Sequence, residues 1–352
     1  MTRRTFLKGA AAAGATLGLA GGLGGWAWHK RFGALPSGAR RARILASPHY
    51  RNGAFQNEAA TPVMAGTKAN VSMWDIFAHP KALRQIPRRG DIAVEKNDLH
   101  NLPDGSFVWF GHSSYLFKIR GKTVLVDPVF YRGAPIPFVV EPFPGTAVYH
   151  AADLPPIDVL LITHDHWDHL EYATVCELRD RVGTVVCPLG VGAHFEYWGY
   201  VPEKLVELDW YEAQTVAGLA ITCLPSRHFS GRGFTRSQTL WASFMVDTVY
   251  FAGDGGYDGR FRRIAEKFPR IDLAVLENGQ YNAAWSKVHT LPQELPQIVR
   301  ELKAARYFFG HNSKFSISLH AWDEPQANQR AVLASTQARG CASVIGRIQT
   351  WI

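Results

Sequence analysis

The chain has 352 residues, of which 47% are hydrophobic and 19% charged, and its formal net charge is +8 at pH 7. Residues 1–43 hold eight basic residues and no acidic one, which leaves 30 of the 38 basic residues against 30 acidic residues. Such a neutral body lacks the basic field that follows a phosphate backbone, so it argues against a nuclease or a nucleic-acid partner. The four cysteines show no C-x-x-C pairing, which excludes a zinc ribbon or a disulfide framework.

The N-terminal stretch "TRRTFLKGAAAAGATLGLAGGLGG" is a targeting segment rather than part of a fold. Its paired arginines, followed by a mildly apolar run, resemble a twin-arginine export signal. The alternative is an ordinary membrane-spanning helix, against which the many glycines argue. We therefore expect residues 1–35 to be an export signal or an uncleaved anchor. The protein would be periplasmic, or anchored to a membrane and facing the periplasm.

Residues 36–105 are rich in Pro, Gly, Arg and Asn and predict an extended arm, ordered only where "MWDIFAHPKALRQIP" offers apolar anchors. From residue 106 to residue 352 the pattern predicts one catalytic domain. Short strands joined by turns come first, and strands alternating with amphipathic helices follow. This order indicates an α+β fold in which two sheets pack face to face with helices outside. The predicted strands include "FVWF", "SYLFKI", "TVLVDPVF", "DVLLITH", "TVVCPLG", "KLVELDW", "LAITCLP", "TLWASFMV", "TVYFAGD" and "IDLAVLENG"; the predicted helices are "ATVCELRDRV", "GRFRRIAEKF" and "QELPQIVRELKAA".

The stretch "LLITHDHWDHL" places three histidines and two aspartates directly after an apolar strand. His164 and His166, two residues apart in a loop, can converge on one metal ion, and the pair Asp168–His169 can turn toward a second ion. Imidazole and carboxylate ligands suit zinc, and also manganese or iron. The alternative, a solvated polar loop, favours Gly, Asn, Ser and Lys over so many ionisable groups.

A binuclear site needs further ligands, and three later stretches supply one each after an apolar strand. They are "CLPSRHF" with His228, "VYFAGDGG" with Asp254 and "YFFGHNS" with His311. A lone histidine is more often a packing residue, but the repetition of strand, small residue and ligand-type residue favours a shared metal site.

The order of these residues resembles that of the metallo-β-lactamase-fold hydrolases, from about Phe107 to Pro325. Several stretches are similar to the branch of N-acyl-phosphatidylethanolamine-hydrolysing phospholipase D and its bacterial relatives. They are "WFGHSSYLFKIRGKTVLVDPVF", "FPGTAVYHAADLP", "THDHWDHL", "PSRHFSGR" and "VHTLPQE". The resemblance implies an αββα sandwich.

The resemblance also implies a ligand set for two divalent ions, with zinc preferred and manganese or iron as alternatives. One ion would be held by His164, His166 and His228, the other by Asp168, His169 and His311, with Asp254 between them. Asp168 would also be catalytic, because the family holds the nucleophile by a hydrogen bond at this position.

Four further residues are expected to support the site rather than bind metal. Asp127 ends a strand and is expected to hold a ligand in place, although a simple turn carboxylate is the alternative. Asp165 is expected to orient a ligand imidazole. His112 is expected to shape the site. His289 is predicted to be an acid or orienter that faces the substrate, the alternative being a neighbour of the helix that follows it.

These observations predict a binuclear metal-dependent hydrolase of phospholipase D type that acts on N-acyl phosphatidylethanolamine-like lipids. In such a centre two metal ions would lower the pKa of a shared water so that a hydroxide forms near neutral pH, and this hydroxide would attack the phosphorus. The apolar loop 129–145 could accept acyl chains, and association with a membrane surface is compatible with this. The alternatives are a lactonase or esterase on the same scaffold, and a metal-binding protein without turnover. The sequence leaves the substrate, the metal and the oligomeric state open.

Overall fold

The computed structural model describes residues 29–65 and 86–352. A short hairpin pairs β1 (Tyr50–Arg51) with β2 (Ala54–Phe55). The larger of the two main sheets has seven strands, in the spatial order β15 (Ile348–Thr350), β3 (Ser106–Trp109), β4 (Tyr115–Ile119), β5 (Lys122–Val126), β6 (Ile157–Leu161), β7 (Val182–Pro188) and β8 (Leu205–Leu208). The smaller has six, in the order β14 (Arg306–Gly310), β13 (Leu273–Glu277), β12 (Val249–Phe251), β11 (Ser243–Val246), β10 (Leu219–Leu224) and β9 (Ala213–Val216).

The two sheets pack face to face because alternate residues of each strand point to opposite sides. In β3, Phe107 and Trp109 lie in the core between the sheets, whereas Val108 lies in the core behind the larger sheet, as does Phe110 directly after the strand. All four are almost completely buried. A strand covered on both faces reads as an unbroken apolar run, which is why "FVWF" shows no polar alternation.

Helices cover the outer face of each sheet. The larger sheet carries α2 (Tyr172–Leu178) and α3 (Gly192–Tyr197), and the smaller carries α4 (Arg260–Lys267), α5 (Leu295–Leu302) and α6 (Glu324–Thr336). In the described part of the chain, four 3₁₀ turns lie between these elements, at Ala151–Asp153, Arg179–Arg181, Pro202–Lys204 and Ala283–Trp285. The order helix, sheet, sheet, helix is the predicted αββα sandwich, so this prediction is confirmed.

The N-terminal arm differs from the prediction of an extended segment. It forms α1 (Gly38–Ala46) and the β1–β2 hairpin, and its Ile44, Tyr50 and Phe55 are buried in the core between the sheets. Apolar anchors spaced five to six residues apart show no helix or strand period, so the sequence pattern missed them. Of the predicted anchor "MWDIFAHPKALRQIP", residues 73–85 lie outside the described residues. Among the described residues, no helix has the length and apolar content needed to cross a membrane.

The fold brings the carboxyl ends of several parallel strands together. Strands β5, β6 and β7 run parallel in one sheet, and β12, β13 and β14 run parallel in the other. The loops that follow β5, β6, β12 and β14 carry Asp127, His164, Asp254 and His311. In sheets of this kind, functional groups gather beyond the carboxyl ends of parallel strands, and here two sheets contribute to the same place.

Candidate metal centre

Three histidines form a first group of candidate ligands. The Nε2 atom of His164 lies 2.9 Å from Nδ1 of His166, and Nε2 of His228 lies 3.1 Å from the same Nδ1. Ligand atoms at about 2.0–2.1 Å from a tetrahedral zinc ion are separated by about 3.3 Å. The three nitrogens therefore have the spacing of ligands that share one ion.

Asp168, His169 and His311 form a second group, and Asp254 lies between the two. Oδ1 of Asp254 is 3.2 Å from Nε2 of His169 and 3.2 Å from Nδ1 of His311. Its other oxygen, Oδ2, is 3.9 Å from Nε2 of both His164 and His228. One carboxylate oxygen thus faces each group, which is the arrangement that a bridging ligand requires.

Buried polar atoms without a hydrogen-bond partner mark this place. Among the described residues they include Nε2 of His169, Oδ1 of Asp254 and Nε2 of His311, all three of which belong to the expected ligand set. A buried polar atom left without a partner costs about 1–3 kcal/mol, so it rarely persists without a reason. Divalent cations would satisfy these atoms, and the residues present fit two such cations.

The protonation states suit metal binding. Burial, together with the neighbouring imidazoles, holds the pKa of His164, His228 and His311 well below the ordinary value. Burial lowers the pKa of His166 to about 4. These rings are neutral at pH 7, and a metal ligand must be neutral imidazole.

His169 behaves differently because two carboxylates flank it. Although burial opposes the charged form, Asp254 and Asp168 hold the pKa of His169 well above its ordinary value. Burial raises the pKa of Asp254 to about 6. These carboxylates require a neighbouring cation, a role that either an imidazolium or a metal ion fills.

Hydrogen bonds hold the ligand rings in place from behind. Oδ2 of Asp127 accepts from Nδ1 of His169 at 2.8 Å, and the carboxylate also accepts from the backbone and hydroxyl of Thr163. Nδ1 of His228 donates to the carbonyl of Val288 at 2.7 Å. Such partners fix the tautomer and orientation of a ligand imidazole. Asp127 therefore lies where the sequence placed it, behind a candidate ligand.

Two other predicted positions also lie at the centre. Nε2 of His112 is 2.8 Å from Oδ2 of Asp168, so His112 holds a candidate ligand, as expected of a residue that shapes the site. Asp254 follows Gly253, which has a φ of +59°, and a Cβ there would lie 2.8 Å from the carbonyl of Ala242. Only glycine allows the turn that directs Asp254 between the two groups.

Asp165 does not orient a ligand imidazole, so this prediction is wrong. Its Oδ2 lies 3.1 Å from Nε2 of His194 and accepts from the hydroxyl of Thr239, and its Oδ1 accepts from the backbone of Gly231. Successive side chains in this part of the loop point to opposite sides, so Asp165 points away from the side that His164 and His166 share.

His289 lies beside the centre and is held by a residue that was not predicted to belong to the site. Its ring is 5.1 Å from that of His228 and 5.4 Å from that of His311, between centroids. Nδ1 of His289 is 3.2 Å from Oε2 of the buried Glu277, which also accepts from the backbone of Gly255 and Thr290. Glu277 ends a strand whose residues are all buried, and this was the available signal.

The region that matches a known family contains all seven candidate ligands. A family model described as "Beta-lactamase superfamily domain" matches residues 122–312, which is more than half of the chain. An uncharacterised protein of Mycobacterium tuberculosis is 35% identical over 316 residues, covering 85% of this chain and 84% of that protein. The chain belongs to the beta-lactamase superfamily, and it is a metal-dependent hydrolase with the metallo-β-lactamase fold.

Two further likenesses and one signal add detail. An N-acyl-phosphatidylethanolamine-hydrolyzing phospholipase D of Caenorhabditis elegans is 26% identical over 286 residues, covering 72% of this chain and 79% of that protein. The structure of CmlA, a diiron β-hydroxylase from Streptomyces venezuelae, superposes with a TM-score of 0.55 at 21% identity. It covers 70% of this chain, and the chain spans 54% of the hydroxylase. A twin-arginine translocation signal matches residues 1–20, so the chain carries a signal for that export pathway.

Proposed function

We propose that the protein is a phosphodiesterase of phospholipase D type that hydrolyses N-acyl phosphatidylethanolamine-like lipids in the periplasm. The observation that carries the proposal is the pair of ligand groups with one oxygen of Asp254 directed to each. Two adjacent divalent ions suit an in-line displacement at phosphorus. The 26% identity to the Caenorhabditis elegans phospholipase D supports this choice among the reactions that such a centre allows.

We assign the two ions to the two groups described above, with zinc preferred because imidazole nitrogens predominate among the ligands. When bound, the ions supply Lewis acidity toward the phosphoryl oxygens and lower the pKa of water. The protein's own residues set the geometry. Asp127 and His112 hold His169 and Asp168 through hydrogen bonds of 2.8 Å each.

His289 is proposed to act on the substrate through its Nε2 atom. Glu277 occupies Nδ1, which leaves Nε2 as the ring nitrogen that can donate a proton to the leaving alcohol oxygen. Burial opposes protonation of the ring, but Glu277 raises the pKa of His289 above its ordinary value. A protonated imidazole held by a carboxylate is suited to general-acid catalysis.

Apolar side chains near the centre support a lipid substrate. The loop 129–145 packs on the centre, since a Cβ at Gly133 would lie 3.2 Å from Cβ of Asp168. Farther out on this loop, Ile136 is 50% exposed and Phe138 94% exposed. Exposed apolar side chains on a loop that reaches the centre suit a surface that meets lipid.

The experiment is hydrolysis of N-acyl phosphatidylethanolamine vesicles in water enriched in ¹⁸O, followed by mass spectrometry. We expect one labelled oxygen in the phosphate of phosphatidic acid and none in the N-acylethanolamine, because water attacks phosphorus. The variant His164→Ala, which lacks a candidate ligand, is the inactive control. Label in a carboxylate, or turnover of lactones alone, would identify a lactonase or esterase. No turnover of either class by protein with two bound ions would leave a metal-binding protein.

A further inference from the structure

The stretch that follows the export signal contacts the candidate metal centre from behind. We call residues 30–34 the strap and residues 163–170, which carry four of the candidate ligands, the ligand loop. The sequence placed the strap within a signal or anchor separate from the fold. In the structure it lies on the catalytic domain instead.

Buried side chains of the catalytic domain bind the backbone of the strap. Nε1 of Trp198 donates to the carbonyl of Lys30 at 2.8 Å. A guanidinium nitrogen of Arg232 donates to the carbonyl of Arg31 at 2.9 Å, and the backbone N–H of Ala34 donates to Nδ1 of His194 at 3.2 Å. Three hydrogen bonds to buried side chains therefore hold these five residues on the catalytic domain.

The same side chains hold the ligand loop. His194 lies against Asp165 with Nε2 3.1 Å from Oδ2. Arg232 donates to the carbonyl of Asp165 at 3.0 Å and stacks on Trp167, with its guanidinium carbon 3.9 Å from the ring centre. Asp165 and Trp167 alternate with the ligands His164, His166 and Asp168. The contacts therefore reach the residues next to the ligands.

The strap also contacts the ligand loop directly. The rings of Phe32 and Trp167 meet edge to face, with their centroids 5.0 Å apart. Gly33 has a φ of +73°, and a Cβ there would lie 2.1 Å from Nδ1 of His194. Any other residue at position 33 forces the strap and His194 apart, because both the backbone conformation and the close approach require glycine.

We infer that the strap is a positioning element of the metal centre, which holds the ligand loop through His194, Arg232 and Trp167. The inference rests on the proposed function in so far as it assigns metal binding to this loop. The strap makes the centre depend on a segment that precedes the N-terminal arm. Partners hydrogen-bonded directly to a ligand commonly change metal affinity by about 10–100-fold, so the more remote strap should act at the low end of this range.

The test compares Gly33→Ala with Gly38→Ala in the full chain. Both glycines have positive φ, but a Cβ at Gly38 meets nothing within 4 Å, so the second variant controls for backbone strain alone. We expect Gly33→Ala to speed amide hydrogen exchange in residues 163–170 about tenfold, because the loop loses its backing. We also expect about tenfold weaker zinc binding in competition with a chelator. Gly38→Ala should change neither measurement.

Phe32→Ala provides a second variant should Gly33→Ala fail to fold, with Leu35→Ala, whose side chain is 61% exposed, as its control. Exchange rates in the loop equal to those of the two controls would overturn the inference. Faster exchange in Gly33→Ala, combined with a wild-type protein that binds no zinc, would support the contact between strap and loop and refute the metal centre. The mature exported protein should also retain Lys30, as its intact mass will show. A mature chain that begins after Ala34 would overturn the inference.

Discussion

Asp127→Asn should lower the affinity for the ion assigned to Asp168, His169 and His311 more than the affinity for the other ion. In the wild type, the Asp127 carboxylate is 1% exposed and accepts from Nδ1 of His169 at 2.8 Å. Asparagine has nearly the same shape and keeps one oxygen, which can still accept from the backbone N–H of Thr163. Its amide nitrogen cannot accept from His169, so the imidazole loses the partner that fixes its tautomer.

The expected magnitude follows from what the carboxylate does. Removing a hydrogen-bond partner from behind a ligand imidazole costs about 10–100-fold in metal affinity. This corresponds to about 1.4–2.7 kcal/mol. The metal-free protein should lose about 1–3 kcal/mol of unfolding free energy, because a donor hydrogen-bonded to a buried carboxylate is left without it.

The assay is a chelator titration with metal content measured at each step. We expect Asp127→Asn to release one ion at lower chelator concentration, while the ion assigned to the three histidines stays bound. Asp158→Asn is the matched control, since Asp158 accepts from the backbone of Thr123 at 2.8 Å in the same sheet. Asp158 lies in the first half of β6, away from the loop that follows this strand. Two ions lost together, or an unchanged titration, would show that Asp127 does not orient a ligand.

Two further predictions concern catalysis and export. Glu277→Gln should lower kcat for lipid hydrolysis about 100-fold with little change in KM, because the variant no longer fixes the proton on His289; Glu294→Gln, a nearby carboxylate that accepts from the backbone of Leu291, is the control. Equal loss in both variants would indicate a general effect on the fold. Replacing Arg3 and Arg4 by lysine should block export of a reporter fused to residues 1–35, because the pathway recognises the arginine pair. Unchanged export of the lysine variant would indicate a different signal.

The architecture was predictable because the catalytic domain consists of elements with strong local patterns. Apolar runs such as those of β3 and β6 are long enough to identify strands, and the helices α4 and α5 have clear apolar faces. The edge strand β9 was missed because three of its four residues are exposed, so it lacks the apolar signal. Helix α6 was missed because its apolar residues do not gather on one face.

The candidate ligands were predictable because each follows a strand, whereas their supporting residues were not. Glu277 is held by Gly255 and Thr290, which lie 22 and 13 residues away in the chain. His194 and Arg232 contact Asp165 across 29 and 67 residues. Contacts of such separation depend on how distant strands, helices and loops are placed in the fold, and no local pattern records them. They become visible only when the strand ends are placed together.

The two faces of the ligand loop explain why its motif holds more ionisable residues than two metal ions need. Successive side chains in the extended part of the loop point to opposite sides. His164 and His166 share one side, where their nitrogens lie 2.9 Å apart. Asp165 and Trp167 take the other side and meet His194 and Arg232. The aspartate between the histidines is therefore a structural anchor, and a change there should loosen the loop without removing a ligand.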